Sequence, residues 1–167
     1  MKPVGIITGM LAEAECLSLA ETPHTIFCAA GSPGRARFGA LKLLEEGAGK
    51  LISFGIAGAL DPTRNPGDIV LASHVEDYAG QRFSTDTASR QELARRYRNI
   101  GSVTAGAIVT TDSPVAAMRD KATLFRRTKA VAVDMESAGV ASAALENGVP
   151  FLAIRVIADT STFTLPH

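Results

Sequence analysis

Acidic side chains stand where buried strands of this sequence are expected to end. The segment VDMESAGVA, residues 133–141, places Asp134 and Glu136 after an apolar, β-prone run and at the start of a predicted helix. Asp159 follows another apolar run, and Glu13 lies in the first turn of a predicted helix after the opening strand. Carboxyl groups in such positions can transfer protons or bind hydroxyl groups, so these four acids are the first candidates for chemistry.

The composition is that of a soluble globular protein, which we expect to form a single domain over residues 1–167. Hydrophobic residues make up 46% of the chain and charged residues 20%. The 17 Lys and Arg balance the 17 Asp and Glu, so no net field favours nucleic acid or an anionic membrane. No apolar run approaches the roughly 20 residues that cross a bilayer, and no signal peptide opens the chain. These features predict a cytoplasmic protein.

Strand-like apolar runs alternate with helical spacings along the chain. Predicted strands cover residues 4–8, 25–29, 51–54, 69–72, 103–110, 130–133 and 151–158. Predicted helices cover residues 10–20, 35–46, 89–99 and 136–147. Another predicted helix begins with Ser113 as its N-cap and Pro114 at its first position, and it carries Val115, Met118, Ala122 and Phe125. The capping-box spacing of Ser89 and Glu92 begins the third of these helices, and the small-residue stretch 55–59 predicts a turn.

This alternation predicts an α/β fold with a mixed, mostly parallel central sheet flanked by helices, a three-layer sandwich. An open sheet of this kind gains from a final helix over its last strand. The sequence closes eight residues after Asp159 without such a helix, so we expect the final C-terminal helix to be missing.

Ligands of parallel sheets bind beyond the carboxyl ends of the strands, where the acids of this chain are predicted to lie. Common nucleotide and hydrolase motifs are lacking, because the sequence has no GxGxxG, GxxxxGK[ST] or GxSxG. His24, His74 and His167 do not cluster with acids or cysteines, so no metal site is expected. Cys16 and Cys28 lack metal-ligand spacing and are expected to be reduced and buried.

Several segments, in order along the chain, resemble the purine nucleoside phosphorylase and nucleosidase superfamily. They are SFGIAGAL at 53–60, PGDIVLAS at 66–73, VDMESAGVA at 133–141 and VPFLAIRVIAD at 149–159. The opening GIITGMLAEAE resembles the nucleosidase branch, whose best-known members cleave methylthioadenosine and S-adenosylhomocysteine. GIITGM, SFGIAGAL and VDMESAGVA are most similar to the hopanoid-associated members, which are taken to remove adenine from adenosylhopane.

The resemblance implies a reaction that breaks a ribose–purine N-glycosidic bond through an oxocarbenium-like transition state. Asp159 matches the acid that shares a proton with N7 of the base; from the sequence alone it could equally be a helix cap. Glu13 matches the residue that activates water in the nucleosidases, and on its own it could be a solvated acid favoured by the helix dipole. The two acids would divide the work as in glycoside hydrolysis.

The resemblance also assigns residues that bind the substrate. Glu136 matches the acid that binds the 2′- and 3′-hydroxyls, Met135 the methionine that packs on the sugar, and Arg155 an arginine that helps orient the nucleophile. Asp134 has no assigned chemistry and is expected to be a helix N-cap. Gly58 lets a ligand approach the backbone, and Thr110 lies in the loop region near the base.

A phosphate or water site is predicted at the turn after the second strand. Gly31, Gly34 and Arg35 could present backbone N–H groups and a cation to an anion, although a tight strand-to-helix turn is an even alternative. Two departures from the family pattern concern the substrate: Ile56 stands where many members have a hydroxyl group, and Pro114 replaces an aromatic residue near the base.

Three functions stay open at this stage. The first is an adenine-releasing nucleosidase, the second a phosphorylase with phosphate as co-substrate, and the third a non-catalytic nucleoside-binding protein. The resemblance implies a small-molecule nucleoside substrate, no cofactor and a homo-oligomer. No nucleic-acid partner is expected, and membrane contact is expected only for a lipid nucleoside.

Overall fold

Strands and helices alternate along the chain, as the apolar pattern predicts. The computed structural model describes residues 2–17 and 24–164. The strands are β1 (Val4–Thr8), β2 (His24–Cys28), β3 (Lys50–Ala59), β4 (Ile69–Glu76), β5 (Arg82–Ser84), β6 (Val103–Thr110), β7 (Ala132–Asp134) and β8 (Phe151–Asp159). The helices are α1 (Leu11–Leu17), α2 (Pro33–Glu45), α3 (Thr87–Tyr97), α4 (Met118–Thr128) and α5 (Ser137–Glu146).

The described strands form one mixed sheet in which parallel pairings prevail. β1 pairs in parallel with β2 and β3, β3 with β8, and β6 with β4 and β7. The pairings of β3 with β7, β4 with β5 and β4 with β8 are antiparallel. Because β8 lies between β3 and β4 while β7 joins β6 to the end of β3, five strands pair in a closed ring. The fold class predicted from the sequence, a sheet flanked by helices, is confirmed.

The sheet residues and the small residues of two helices form the main core. Ile7, Leu51 and Ile108 are fully buried at its centre, with alanines of α2 and α5 packed against them. A Cβ atom at Gly139 would lie 2.0 Å from the carbonyl oxygen of Pro33, so only glycine lets α5 approach α2 this closely. The small residues after VDMES therefore bring helix and sheet together and fix where the acids of that segment lie.

The prediction that residues 55–59 form a turn is wrong, since they continue β3. Residues up to Ala57 stay in register with β8, and Gly58 and Ala59 also pair with β7. Glycine is common in turns, but here it serves a close approach: a Cβ at Gly55 would lie 2.5 Å from Oε1 of Glu13. The third strand, with 10 residues, is therefore more than twice as long as its apolar run suggests.

Two predicted helix starts are also wrong. α4 begins at Met118 rather than at Pro114, because the segment from Thr111 to Ala117 crosses the ends of the strands before the helix starts. Its buried residues are Lys121, Leu124 and Thr128, so Met118 is exposed. α3 is capped by Asp86, whose carboxylate accepts the Ser89 N–H, and Ser89 is thus inside the helix.

Smaller differences concern ends and single residues. β5 was not predicted, because three residues give too short a pattern. α1 is described to Leu17, and residues 18–20 of that predicted helix lie outside the described residues. Both cysteines are free, but Cys16 is exposed and Cys28 only half-buried, which contradicts their expected burial. In the part of the chain that the structure describes, no helix combines the length and apolarity needed to cross a membrane.

Candidate active site

A cleft of about 570 Å³ opens at the carboxyl ends of β1, β6, β7 and β8. It collects residues from six separate loops and strand ends, as a parallel sheet allows. Its walls are formed by Gly9, Met10, Glu13, Ala30, Gly31, Ile56, Ala57, Gly58, Thr111, Pro114, Val115, Val133, Asp134, Met135, Glu136, Ala158 and Asp159. The four acids selected from the sequence therefore meet at one place.

Glu13 is held rigidly by backbone N–H groups. Its Oε2 accepts from Gly9 and Met10, both at 2.8 Å, and its Oε1 accepts from Ile56 at 2.9 Å. The side chain is buried rather than solvated, so the alternative of a solvated first-turn acid does not describe it. Three donors, two just after β1 and one within β3, fix both carboxyl oxygens at the cleft wall.

Glu136 shares that wall with Glu13. Its Oε1 lies against Gly9, where a Cβ atom would be only 2.5 Å away, and its Oε2 lies 3.6 Å from a guanidinium nitrogen of Arg155. Met135, the neighbouring residue, also lines the cleft, and its Cε lies 3.8 Å from a Cβ position at Gly31. The carboxyl group and the thioether therefore face one ligand space from adjacent positions.

The pKa of Glu136 is raised to about 7. Burial is the main cause, because it disfavours the charged carboxylate. Arg155 opposes this shift, while the carboxyl groups of Asp134 and Glu13 add to it. A carboxyl group that titrates near neutral pH in a cleft is a typical feature of a functional site.

Arg155 lies under the cleft floor rather than on its surface. Its side chain is 0% exposed, and Nη2 contacts Asp134 Oδ2 at 2.9 Å and donates to the Ser53 hydroxyl at 2.7 Å. Its Nη1 donates to the carbonyl of Ile154 at 3.0 Å, whereas Nε is buried without a partner. Arg155 thus supports the acids from below instead of reaching the ligand space itself.

Asp134 joins this buried network to the start of α5. Its Oδ1 accepts from the Thr110 hydroxyl at 2.7 Å and from the Ser137 N–H at 3.3 Å, and its Oδ2 accepts from the Ser137 hydroxyl. The expected capping contact is present, although the N-cap position itself is occupied by Glu136. Thr110 also accepts the Ala138 N–H at 3.0 Å, and it is not among the residues that line the cleft.

Asp159 lines the cleft from the end of β8. The bulge in the β3–β8 ladder pairs it with Gly58, and a Cβ at Gly58 would lie 3.3 Å from Asp159 Oδ1 and 3.5 Å from Oδ2. Oδ2 accepts a hydrogen bond from the ammonium group of Lys121, which is 0% exposed. One carboxyl oxygen is therefore bound by the buried lysine, and the other makes no hydrogen bond to the described residues.

The predicted anion site is only partly assembled. Gly31 lines the cleft with φ +70°, and Ala30 before it is also left-handed at φ 53°. Gly34 and Arg35 are exposed on the first turn of α2, where Ser32 caps the helix by accepting the Arg35 N–H. Arg35 Nε donates to the Ala29 carbonyl at 3.1 Å, and neither Gly34 nor Arg35 lines the cleft.

The remaining wall is apolar and was only partly foreseen. Ile56 and Pro114, which depart from the family pattern, both line the cleft, beside Val115 and Thr111. Two buried polar residues near the cleft, Lys121 and Ser53, were not predicted from the sequence. Lys121 has the same helical spacing as the buried residues Leu124 and Thr128, and this spacing could have indicated a buried charge. A buried charge requires a partner, so the spacing would also have indicated an acid nearby. Ser53 gave no signal beyond its place in an apolar strand.

The phosphorylase superfamily matches residues 4–165 of the sequence. The chain belongs to this superfamily. Membership confirms the resemblance and the expected enzyme class, a nucleosidase or nucleoside phosphorylase, and it supports cleavage of a nucleoside N-glycosidic bond in general. No curated protein sequence matches the chain.

Solved structures of nucleosidases share the fold of this superfamily member. 5′-Methylthioadenosine/S-adenosylhomocysteine nucleosidase from Neisseria meningitidis, in complex with methylthio-immucillin-A, has a TM-score of 0.88 at 23% identity, covering 97% of this chain and 87% of that one. S-adenosylhomocysteine nucleosidase from Streptococcus pyogenes, in complex with 5-methylthiotubericidin, has a TM-score of 0.84 at 22% identity, with coverages of 96% and 85%. A futalosine hydrolase mutant of Helicobacter pylori strain 26695 has a TM-score of 0.86 at 19% identity, with coverages of 97% and 87%.

Proposed function

We propose that this protein hydrolyses the ribose–purine N-glycosidic bond of a 5′-substituted adenosine and releases adenine. The observation that carries the proposal is the meeting of Glu13, Glu136 and Asp159 around one cleft, each held by a different strand end. Bond cleavage builds positive charge on the ribose and negative charge on the departing base. Acids on both sides of the cleft are suited to that charge separation.

Asp159 is the residue proposed to meet the base. It lines the cleft beside Ala158 and Gly58, which are small enough to let a planar ring pack near the strands. A proton shared between this carboxyl group and N7 would neutralise the developing charge, and adenine would leave as a neutral molecule. The apolar side chains of Val115 and Pro114 nearby would cover the ring.

Glu136 and Met135 are proposed to hold the ribose. A carboxylate can accept hydrogen bonds from the 2′- and 3′-hydroxyl groups at once, which would compensate for its burial. Met135 would pack on the sugar face with its flexible thioether. Arg155 and Asp134 act indirectly, since they fix Glu136 from beneath the cleft floor.

Glu13 is proposed to activate the attacking water. Its two oxygens are aligned by the N–H groups of Gly9, Met10 and Ile56, so the carboxylate has a defined direction towards the cleft. A water molecule placed between Glu13 and the anomeric carbon would give its proton to the carboxylate as the new C–O bond forms. This role uses the same carboxyl geometry that general base catalysis requires.

Two observations favour hydrolysis over phosphorolysis. Glu13 puts a carboxyl group on the face where a phosphate would have to bind, and Arg35 turns its Nε to a backbone carbonyl outside the cleft lining. Gly31 alone remains of the predicted anion site at the cleft. Like charges repel, so a phosphate dianion would bind poorly beside Glu13.

The 5′ substituent is proposed to be bulky and apolar, with adenosylhopane as the candidate that the sequence resemblance suggests. The cleft wall near the ribose exposes Met10 and Ile56, each 45% accessible, which suits an apolar group that extends away from the sugar. Such a lipid nucleoside would bring the protein to a membrane surface when it collects its substrate. We propose that the protein works in the cytoplasm as a homo-oligomer.

The deciding experiment measures adenine release in phosphate-free buffer from a panel of nucleosides. The panel contains methylthioadenosine, S-adenosylhomocysteine and adenosylhopane, and each is repeated with phosphate added. We expect adenine and a free ribosyl product without phosphate from at least one 5′-substituted adenosine. Glu13→Gln and Asp159→Asn should each lower kcat by about 10²- to 10⁴-fold.

Other outcomes have defined meanings. Strict dependence on phosphate, with ribose 1-phosphate as the product, would replace the nucleosidase by a phosphorylase. Binding of adenine without turnover of any substrate would indicate a non-catalytic nucleoside-binding protein. Arg119→Met is the matched control, because Arg119 is an exposed residue of α4 remote from the cleft lining.

A further inference from the structure

A buried lysine stands behind the acid that is proposed to meet the base. Lys121 lies on the core face of α4, at the same helical spacing as the buried residues Leu124 and Thr128, and its side chain is 0% exposed. It is not among the residues that line the cleft. An ammonium group in such a place is costly unless it is paired and fully hydrogen-bonded, so its retention calls for an explanation.

All three N–H donors of the Lys121 ammonium have acceptors. One is Oδ2 of Asp159, and the other two are the backbone carbonyls of Thr160 at 3.0 Å and Phe163 at 2.8 Å. The three acceptors come from the end of β8 and the turn after it, so one side chain ties that turn to the carboxyl group. The contacts determine which way Asp159 can face.

The two oxygens of Asp159 are thereby made unequal. Both oxygens lie near Gly58, at 3.3 and 3.5 Å from a Cβ atom there, but Oδ2 is hydrogen-bonded to Lys121, whereas Oδ1 makes no hydrogen bond to the described residues. Oδ1 is therefore the oxygen that has its hydrogen-bonding capacity left for a ligand in the cleft. The pairing of Asp159 with Gly58 in the β-ladder fixes the backbone, and Lys121 fixes the remaining side-chain rotation.

We propose that Lys121 is the positioning residue for Asp159 and stabilises the carboxylate that remains once Asp159 has given its proton to the departing base. This inference rests on the proposed function. In the substrate complex Asp159 carries a proton on Oδ1, while Oδ2 accepts the Lys121 N–H. As the glycosidic bond breaks, its electron pair goes to the base, and N7 takes the proton from Oδ1. The electron pair of that O–H bond stays on the carboxylate, which pairs with the Lys121 ammonium. After adenine has left, the proton that Glu13 took from the attacking water returns through solvent to Oδ1.

The first test separates this role from a structural one by changing the leaving group. Adenine needs a proton to leave, whereas 4-nitrophenolate leaves 4-nitrophenyl riboside without one. For Lys121→Met we expect kcat on the preferred adenosine derivative to fall about 10²-fold, with KM changed only a few-fold. Its kcat on the nitrophenyl riboside should stay within a few-fold of the wild-type value.

Lys121→Arg is the conservative variant. A guanidinium keeps the positive charge and can donate to Oδ2 of Asp159, so kcat on the adenosine derivative should recover most of the loss seen in Lys121→Met. A kcat as low as that of Lys121→Met, in a Lys121→Arg protein of wild-type stability, would overturn the inference. Equal losses on both substrates in Lys121→Met would overturn the whole inference, because they would indicate general damage to the site.

A double-mutant cycle decides the matter even if one variant folds poorly or the riboside is not a substrate. Lys121→Met with Asp159→Asn removes both charges of the buried pair, so neither group is left unpaired. We expect the kcat of the double variant to equal that of Asp159→Asn alone, because Lys121 acts only through Asp159. A loss of kcat in the double variant equal to the product of the two single losses would contradict the inference. No cleavage of any nucleoside by the wild type would refute the proposed function and this inference together, whereas an unaffected Lys121→Met in an active enzyme would refute the inference alone.

Discussion

Gly9 packs directly against the carboxyl group of Glu136, leaving no room for a side chain between them. A Cβ atom at Gly9 would lie 2.5 Å from Glu136 Oε1, and the N–H of the same glycine donates to Glu13 Oε2 at 2.8 Å. One residue thus sets the spacing of the two acids on its wall of the cleft. Its position immediately after β1 makes the end of that strand part of the site.

Replacing Gly9 by alanine should therefore weaken ribose binding. The added methyl group must displace the Glu136 carboxyl group, so we expect KM to rise at least tenfold and kcat to fall. Steady-state kinetics on the preferred nucleoside measures both values. Gly101→Ala is the matched control, because its Cβ would meet no atom within 4 Å, and it should leave both constants unchanged. Wild-type kinetics in Gly9→Ala would contradict this assignment of Glu136.

The raised pKa of Glu136, about 7, predicts a pH dependence of substrate capture. The carboxylate, which accepts from both ribose hydroxyl groups, prevails only above that pH, whereas the protonated form loses an acceptor. The ratio of kcat/KM of the wild type to that of Glu136→Gln should therefore increase as pH rises through about 7. A ratio that is constant between pH 5 and 9 would show that Glu136 does not bind substrate as a carboxylate.

The same group predicts how stability depends on pH. Its pKa is about 7 in the folded protein and 4.5 in the unfolded chain, so the folded state binds more protons in this window. The contribution of Glu136 to the free energy of unfolding is fully present below pH 4.5 and is lost as pH rises through about 7. The free energy of unfolding should therefore be about 3 kcal/mol lower above this window than below it, as far as this group is concerned.

Urea unfolding of the wild type and Glu136→Gln at several pH values tests this expectation. The free energy of unfolding of the wild type, relative to the variant, should decrease between pH 4.5 and 7 and then level off. Glutamine keeps the shape of the side chain but does not titrate, which isolates the one group. An increase over the same window would refute the assigned direction of the pKa shift.

Arg155 should matter chiefly for stability. Removing its guanidinium in Arg155→Met leaves Asp134 as a buried carboxyl group without its cation, which should cost about 3–5 kcal/mol. The exposed pair of Arg37 and Glu146 provides the comparison, and Arg37→Met should change the free energy of unfolding little. Equal effects of the two substitutions in chemical denaturation would contradict the structural role given to Arg155.

The order of strands and helices and the location of the site were predictable from local pattern. Buried parallel strands are continuous apolar runs, and acids that follow such runs must lie at the ligand-binding edge of a parallel sheet. That reasoning placed Glu13, Asp112, Asp134, Glu136 and Asp159 at this edge, and all but Asp112 line the cleft. The roles expected of Glu13, Glu136 and Asp159 came from the resemblance to the superfamily. The length of β3 was not predicted, because glycines that permit a close approach within a strand look the same in sequence as glycines in a turn.

The contacts between polar groups depend on the tertiary structure and could not be predicted. Gly34 and Arg35 follow the second strand in sequence, but they lie on the first turn of α2 outside the cleft. Arg155 and Thr110 do not line the cleft either. Lys121 lies 38 residues from Asp159 in the chain, and only the fold brings the two side chains together.

Local sequence is sufficient to predict the α/β alternation, the edge of the sheet that bears the acids and the membership of the superfamily. These follow from periodicity and from short motifs, which are properties of neighbouring residues. The unequal oxygens of Asp159, the three N–H groups on Glu13 and the burial that raises the pKa of Glu136 exist only in the fold. Desolvation and hydrogen-bond geometry depend on distances between residues far apart in the chain, and folding alone sets those distances.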